Sequence, residues 1–167
     1  ELVAGDWKLK RMHKLIMMSN TYRMSSSGGE TALARDPNND LMWRHEMRRL
    51  SAEEIRDSIL NLTGQLNLKM GGPSIYTEVP KDVLATASRP GAAWGNSPVA
   101  ERNRRSVYIY VKRSLHEPFL SAFDWADTDN TCDVRFVTTV PTQTLTLLNS
   151  KFLNDSAESL AKRLGKA

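Results

Sequence analysis

The chain of 167 residues lacks several features that would assign it to a class at once. Its single cysteine, Cys132, excludes a disulfide framework within the chain. No apolar run approaches the roughly 20 residues that a membrane span needs. The start, at Glu1, shows no basic-then-apolar signal pattern, and we interpret the chain as a piece of a longer protein. Hydrophobic residues make up 40% and charged residues 25%, which predicts a globular chain with its own core.

The motifs of common metal and cofactor sites are also missing. The run His45-Glu46 begins like a zinc protease motif, but Arg49 stands where the second histidine is needed. The sequence has no phosphate loop, no dinucleotide fingerprint and no haem-attachment motif. Asp127-Thr128-Asp129-Asn130 resembles the start of a calcium loop without its turn glycine, and we interpret it as a turn. The sequence therefore predicts no metal and no cofactor.

Positive charge is in small excess. Lysine and arginine number 23 against 19 acidic residues, and the net charge is +4. The densest basic clusters, residues 44–49 and 102–105, contain or follow a glutamate. A nucleic-acid partner is not predicted, because phosphate binding usually needs a basic face or a recognisable motif.

Apolar periodicity predicts a mainly α fold (α+β), a single domain built as a helical scaffold. A first helix follows Asp6 as its N-cap, and a second begins with the capping box Ser51 to Glu54, with Ile55, Ile59 and Leu62 on its apolar face. A short helix is expected over residues 118–123. The next should begin at Pro141, with Leu145, Leu148 and Phe152 as its apolar stripe. A last helix should follow Asn154 or Asp155 as its cap and end at Gly165.

Three segments depart from the helical pattern. Residues 106–112 and 133–140 are rich in β-branched and aromatic residues, and they predict one short antiparallel β ribbon. Residues 70–103 form a long, irregular, Gly/Pro-rich loop insertion. We expect Tyr76 and Trp94 to anchor this insertion to the core; the alternative is that they are exposed and contact a partner.

Charged residues near the predicted ribbon form the candidate site. Its members are Arg104, Arg105, Asp124, Asp127, Arg135 and Gln143, together with Trp94 from the insertion. They can form a binding cluster or a buried ion-pair network, and we favour the network. Two of the aspartates could instead act as the acid and base of a glycosidase. Cys132 as a nucleophile would need a histidine such as His116 beside it.

Blocks spread in order along nearly the whole chain match the pattern of one known family. They are residues 7–19, Thr21-Tyr22-Arg23, Asp36-Pro37-Asn38-Asn39, Arg48-Arg49-Leu50, Met70-Gly71-Gly72-Pro73-Ser74, Arg104-Arg105-Ser106-Val107-Tyr108, Phe123-Asp124, Asp127, Cys132, Arg135 and residues 138–143. In these blocks the chain resembles the planctomycete-type family called domain of unknown function 1553. Met12, Lys14, Trp125 and Ala126 depart from the family's usual pattern.

The resemblance implies a domain of a large exported protein, at the periplasm or cell surface, that often carries a c-type cytochrome module elsewhere in its chain. No catalytic residues are agreed for the family, so none is transferred. We therefore expect a non-catalytic structural or interaction module whose partners are the remaining domains of its parent chain. The first alternative is a domain that binds or cleaves an acidic polysaccharide, and the second is an accessory domain that seats the cytochrome module.

Overall fold

The computed structural model describes residues 1–87, 92 and 94–165. It divides into two compact units, Glu1–Arg49 and Leu50–Ala167. The mainly helical character predicted from periodicity is confirmed. Residues 88–91 and 93, which belong to the predicted insertion, lie outside the described residues.

The first unit contains helices α1 (Leu9–Met17) and α2 (Glu30–Arg35). The predicted N-cap of α1 is wrong: Asp6 has a left-handed backbone (φ 57°), and Lys8 precedes the helix without a side-chain cap. No residue of α1 is buried, although its apolar residues recur at helical spacing. The turn that begins at Asp36 is closed by its carboxylate, which accepts hydrogen bonds from the backbone N–H groups of Asp40 and Leu41.

The second unit begins with α3 (Ala52–Leu62), whose predicted capping box is confirmed. The Ser51 hydroxyl accepts from the Glu54 N–H, and the Glu54 carboxylate accepts from the Ser51 N–H. Gly64 follows the helix end at φ 74°, a left-handed conformation that favours glycine. The expected apolar face is partly wrong: Leu62 is exposed, and the face that packs inward centres on Ala52 and Leu60.

The remaining helices of the described residues follow in chain order. They are α4 (Lys81–Ala85), α5 (Val99–Arg102), α6 (Pro118–Ala122), α7 (Pro141–Asn149) and α8 (Lys151–Leu164). The break between α7 and α8 falls at Ser150, whose hydroxyl caps α8 by accepting from the Leu153 N–H. The predicted caps of this helix, Asn154 and Asp155, instead lie inside it. Gly165 ends α8 as expected.

The apolar core lies between α3, α6 and α8. Its buried members are Ala52, Ile75, Ile109, Phe119, Leu120 and Phe123, and Phe152 of α8 packs against them. The Phe119 ring meets the Phe152 ring edge-on at a centroid distance of 5.3 Å. Within the described residues, no helix has the length and apolar character that a membrane crossing requires.

The predicted β ribbon is not confirmed in the described residues. Ser106–Tyr108 forms a 3-10 helix, and Ile109 makes an isolated parallel bridge with Ile75 of the insertion. The Tyr110 N–H donates to the Ile75 carbonyl at 2.8 Å, and the Ile75 N–H donates to the Tyr108 carbonyl. These bonds occupy the groups that a ribbon would use, and strand propensity yields to such tertiary context.

Candidate functional site

Arg104 is the most deeply buried member of the predicted site, with no exposed surface. Its guanidinium donates to the carbonyls of Lys69, Gly71 and Pro73, and it stacks 3.9 Å from the ring centroid of Tyr108. The backbone around Gly71 thus encloses the planar guanidinium of Arg104, which no ligand can reach in this conformation. These contacts are those of a fold-fixing residue.

Asp124 holds the segment that leads into α7. Its carboxylate accepts from the Thr138 N–H at 2.9 Å and from the Thr138 hydroxyl at 2.8 Å. The buried Gln143 donates its amide N–H to the same Thr138 hydroxyl at 3.2 Å. Asp124 and Gln143, both predicted site residues, are therefore brought together by Thr138, a residue that sequence reasoning did not single out.

Arg135 pairs with Glu53 of α3, a second residue that the sequence analysis missed. The two N–H···O distances are 2.7 and 2.9 Å, and Glu53 also accepts from the Trp125 indole at 3.1 Å. Burial tends to raise the pKa of Glu53, but the hydrogen bonds and positive charge of Arg135 outweigh it and lower the pKa. The pair ties the 133–140 segment to α3.

Asp127 and Arg105 lie apart from these contacts. Asp127 accepts from the Asp129 N–H and the Asn130 amide, and these two hydrogen bonds lower its pKa. Arg105, 58% exposed in its side chain, lies 3.8 Å from Asp57. Within the described part of the chain, no three His, Cys, Asp or Glu side chains group as metal ligands.

Trp94 belongs to an aromatic cluster with Tyr76 and Tyr110. The Trp94 indole donates to the Thr77 carbonyl at 2.9 Å, and its ring meets Tyr76 edge-on at 5.6 Å. Tyr76 in turn lies 4.9 Å from Tyr110. Both Trp94 and Tyr76 are half-buried. The contacts are those expected of aromatic anchors for the insertion.

A cavity of about 400 Å³ lies in the second unit, and none of the seven predicted site residues lines it. Phe119 and Phe152 provide apolar walls, and the buried side chains of Arg56, Thr77 and Glu117 add polar groups. Its volume is within the range of small-molecule sites. Sequence reasoning missed this site because its residues come from five separate segments.

Arg56 and Glu117 are the buried charges of this cavity. Arg56 donates to the carbonyls of Arg102 and Arg104 and to the Ser106 hydroxyl. Glu117 caps α6 by accepting from the Leu120 N–H at 2.7 Å. Burial raises the pKa of Glu117, against the opposing effects of that hydrogen bond and of the Arg56 charge. The protonated carboxyl is thus favoured relative to an exposed glutamate.

Among the described residues, four charged side chains surround the cavity mouth and pair with one another. Arg102 lies 3.3 Å from Glu78, and Lys151 lies 3.6 Å from Glu78 and 2.6 Å from Asp155. The mouth therefore carries two positive and two negative charges that compensate each other.

An exposed apolar stretch follows Arg135. Residues 136–150 contain no charged side chain, and the buried side chain among them is that of Gln143. Large apolar side chains of this stretch are exposed: Phe136 (81%), Val137 (72%), Val140, Leu145, Leu147 and Leu148 (67%). Leu145 and Leu148 of the predicted apolar stripe of α7 are therefore exposed, and its third member, Phe152, lies in α8 instead. We call residues 136–148 the apolar segment.

Comparison with known families places the chain. The sequence model of PSD1, described as a protein of unknown function (DUF1553), matches residues 1–167. The chain belongs to the DUF1553 family. This confirms the resemblance seen in the sequence blocks. Neither a curated protein nor a solved structure matches this DUF1553 family member.

Proposed function

We propose that the chain is a non-catalytic interaction module that docks on the other domains of its own parent protein, which we expect to be exported. The observation that carries the proposal is the apolar segment. Single exposed apolar residues are ordinary on a soluble surface, but a continuous uncharged stretch with several of them is typical of an interaction site.

The composition of the apolar segment favours a permanent partner. The centres of protein interfaces are depleted of charge, and permanent interfaces are more apolar than transient ones. Fifteen consecutive residues, 136–150, lack a charged side chain. Another domain of the same polypeptide is a permanent partner by construction, and this matches the expectation drawn from the family resemblance.

The internal contacts of the predicted site support a non-catalytic role. Arg104 is bound to backbone carbonyls, Arg135 to Glu53, and Asp124 to Thr138. Each of these groups fixes one segment against another. The polysaccharide and cytochrome alternatives stay predictions. The polysaccharide alternative expects Trp94 or Tyr76 beside paired carboxylates, whereas the described contacts of Trp94 join it to Thr77 and aromatic rings.

Photochemical cross-linking in the whole parent protein tests the proposal. Phe136 is replaced by photoreactive benzoylphenylalanine, and the linked peptides are identified by mass spectrometry. We expect links within one polypeptide to residues outside 1–167. The matched control is the same replacement at Leu164, an exposed apolar residue of α8 that should give at least fivefold fewer such links.

Three outcomes would contradict the proposal. They are links between two copies of the protein, links confined to residues 1–167, and equal yields from Phe136 and Leu164. Links between copies would identify a second copy as the occupant of the apolar segment.

A further inference from the structure

We propose that the cavity between α3, α5, α6 and α8 is a binding site for a small, uncharged molecule with a flat apolar body and one hydrogen-bonding group. The inference is independent of the docking proposal, because the cavity shares no lining residue with the apolar segment. Its support comes from the shape, charge balance and buried polar groups of the cavity.

The apolar walls fit a flat molecule. The Phe119 and Phe152 rings both line the cavity and meet at an interplanar angle of 72°, and the Arg56 guanidinium lies 5.6 Å from the Phe152 ring centroid. Val99 and Pro80 line other parts of the cavity. Aromatic ligands gain from both edge-on and offset-stacked contacts with such rings.

The charge balance argues against a charged ligand. At the mouth, Arg102 and Lys151 are compensated by Glu78 and Asp155. Inside, the buried Arg56 lies 3.8 Å from Asp57 and is attracted to Glu117. A charged ligand would lose its hydration without meeting an uncompensated opposite charge, which is costly in a partly enclosed site.

The buried polar groups supply the hydrogen-bonding end. Thr77 is 8% exposed, and its hydroxyl lies near enough to Glu117 to lower the pKa of that carboxyl. Within the described residues, however, Thr77 Oγ1 has no partner at full hydrogen-bond geometry. A buried hydroxyl without a good partner is costly, and a ligand amide would satisfy it.

Three probes of one shape and different charge test the inference on the whole chain. Benzamide is uncharged, benzoate is anionic and benzamidine is cationic at neutral pH. Binding is measured by titration while amide chemical shifts are recorded by NMR. We expect benzamide to bind at least tenfold more tightly than either charged probe, with the largest shifts at Thr77, Phe119 and Phe152.

A variant that fills the cavity provides the structural control. Val99 is 69% exposed and lines the cavity, so Val99→Trp should block it without disturbing the core. We expect benzamide affinity to fall at least tenfold in Val99→Trp. Val107→Trp makes the same change at a residue that is 71% exposed and does not line the cavity, and it should bind like the wild type.

Thermal unfolding of both variants verifies that they fold. The inference is wrong if no probe binds, if a charged probe binds as tightly as benzamide, or if folded Val99→Trp retains wild-type affinity. None of these results bears on the docking proposal, since the cross-linking yield at Phe136 does not depend on the cavity.

Discussion

Buried ionisable side chains in this protein are held by backbone groups more than by opposite charges. Arg104 and Arg56 donate chiefly to carbonyl oxygens, and Glu117 accepts from the first turn of α6. Hydrogen bonds of this kind satisfy the donors and acceptors of a buried charged group. Removing one partner leaves the other buried without a hydrogen bond, at its full desolvation cost. The raised pKa of Glu117 shows that its hydrogen bonds do not fully offset its burial.

Glu117 should make stability fall as the pH rises above about its ordinary pKa of 4.5. Burial raises its folded-state pKa, so above that ordinary value the folded protein retains a proton that the unfolded chain has released. The free energy of unfolding contributed by this group therefore decreases until the pH passes the folded-state pKa. Glu117→Gln should remove this slope in urea unfolding curves recorded across pH.

The control for this prediction is Glu158→Gln, which changes an exposed glutamate of α8. Its pH profile should parallel that of the wild type. A Glu117→Gln profile that also parallels the wild type would show that Glu117 does not couple folding to protonation.

At the scale of single residues, the sequence indicated some members of the polar contacts and not their partners. Arg104, Arg135, Asp124 and Gln143 were grouped as a binding cluster or a buried ion-pair network, whereas Arg104 binds backbone carbonyls, Arg135 binds Glu53 and Asp124 binds Thr138. The partners Glu53 and Thr138 were missed. Glu53 does not stand out in the sequence, because a glutamate in the first turn of a helix is already explained by its favourable interaction with the helix dipole. The burial of Arg56 in α3 is also invisible to periodicity, which assigns inward positions to apolar residues.

At the scale of elements, helix caps and helix positions were predicted better than the pairing of strands. The Ser51 capping box and the short α6 were predicted because each depends on residues within a few positions of one another. The ribbon is not confirmed, because strand pairing depends on which distant segment lies beside Ile109. Ile75 of the insertion does so, and two hydrogen bonds fix it there.

Arg104 should decide whether the segment around Gly71 stays in place. Arg104→Lys retains the charge but loses the planar fork, so at least two carbonyl contacts disappear. We expect a loss of about 3 kcal/mol in the free energy of unfolding, the order found when a buried charged network is broken. Urea denaturation at neutral pH measures it.

Arg105→Lys is the matched control, because Arg105 is largely exposed and its single ion pair lies at 3.8 Å. It should cost less than about 1 kcal/mol. Equal losses for the two variants would show that the carbonyl contacts of Arg104 do not stabilise the fold.

For the whole molecule, protection against hydrogen exchange should differ between the two units. The buried apolar cluster lies in residues 50–165, whereas α1 has no buried residue. Amides near Leu60 and Leu120 should exchange only through global unfolding, and those of α1 should exchange at least a hundredfold faster. NMR-detected exchange of the isolated chain measures both, and equal protection would contradict this assignment of stability.

The mainly helical character and the family could be predicted from the sequence, whereas the cavity could not. Helix starts and helical periodicity depend on residues close together in the sequence, as at Ser51 and Pro141. The cavity depends on Thr77, Glu117 and Phe152, which are separated by tens of residues and share no motif. The packing of α6 and α8 on α3 brings Glu117 and Phe152 together, and Thr77 joins them from the insertion.

The hydrogen bonds of Asp124 and Gln143 have a consequence for self-association. The stretch Phe136-Val137-Thr138-Thr139-Val140 is uncharged and strand-prone, a composition found in amyloid-forming segments. The Thr138 N–H is bonded to Asp124, the Val140 N–H to Gln143, and Pro141 has none to offer. The donors of Thr138 and Val140 on one edge of this stretch are therefore already occupied, which hinders edge-to-edge pairing with another chain along that edge.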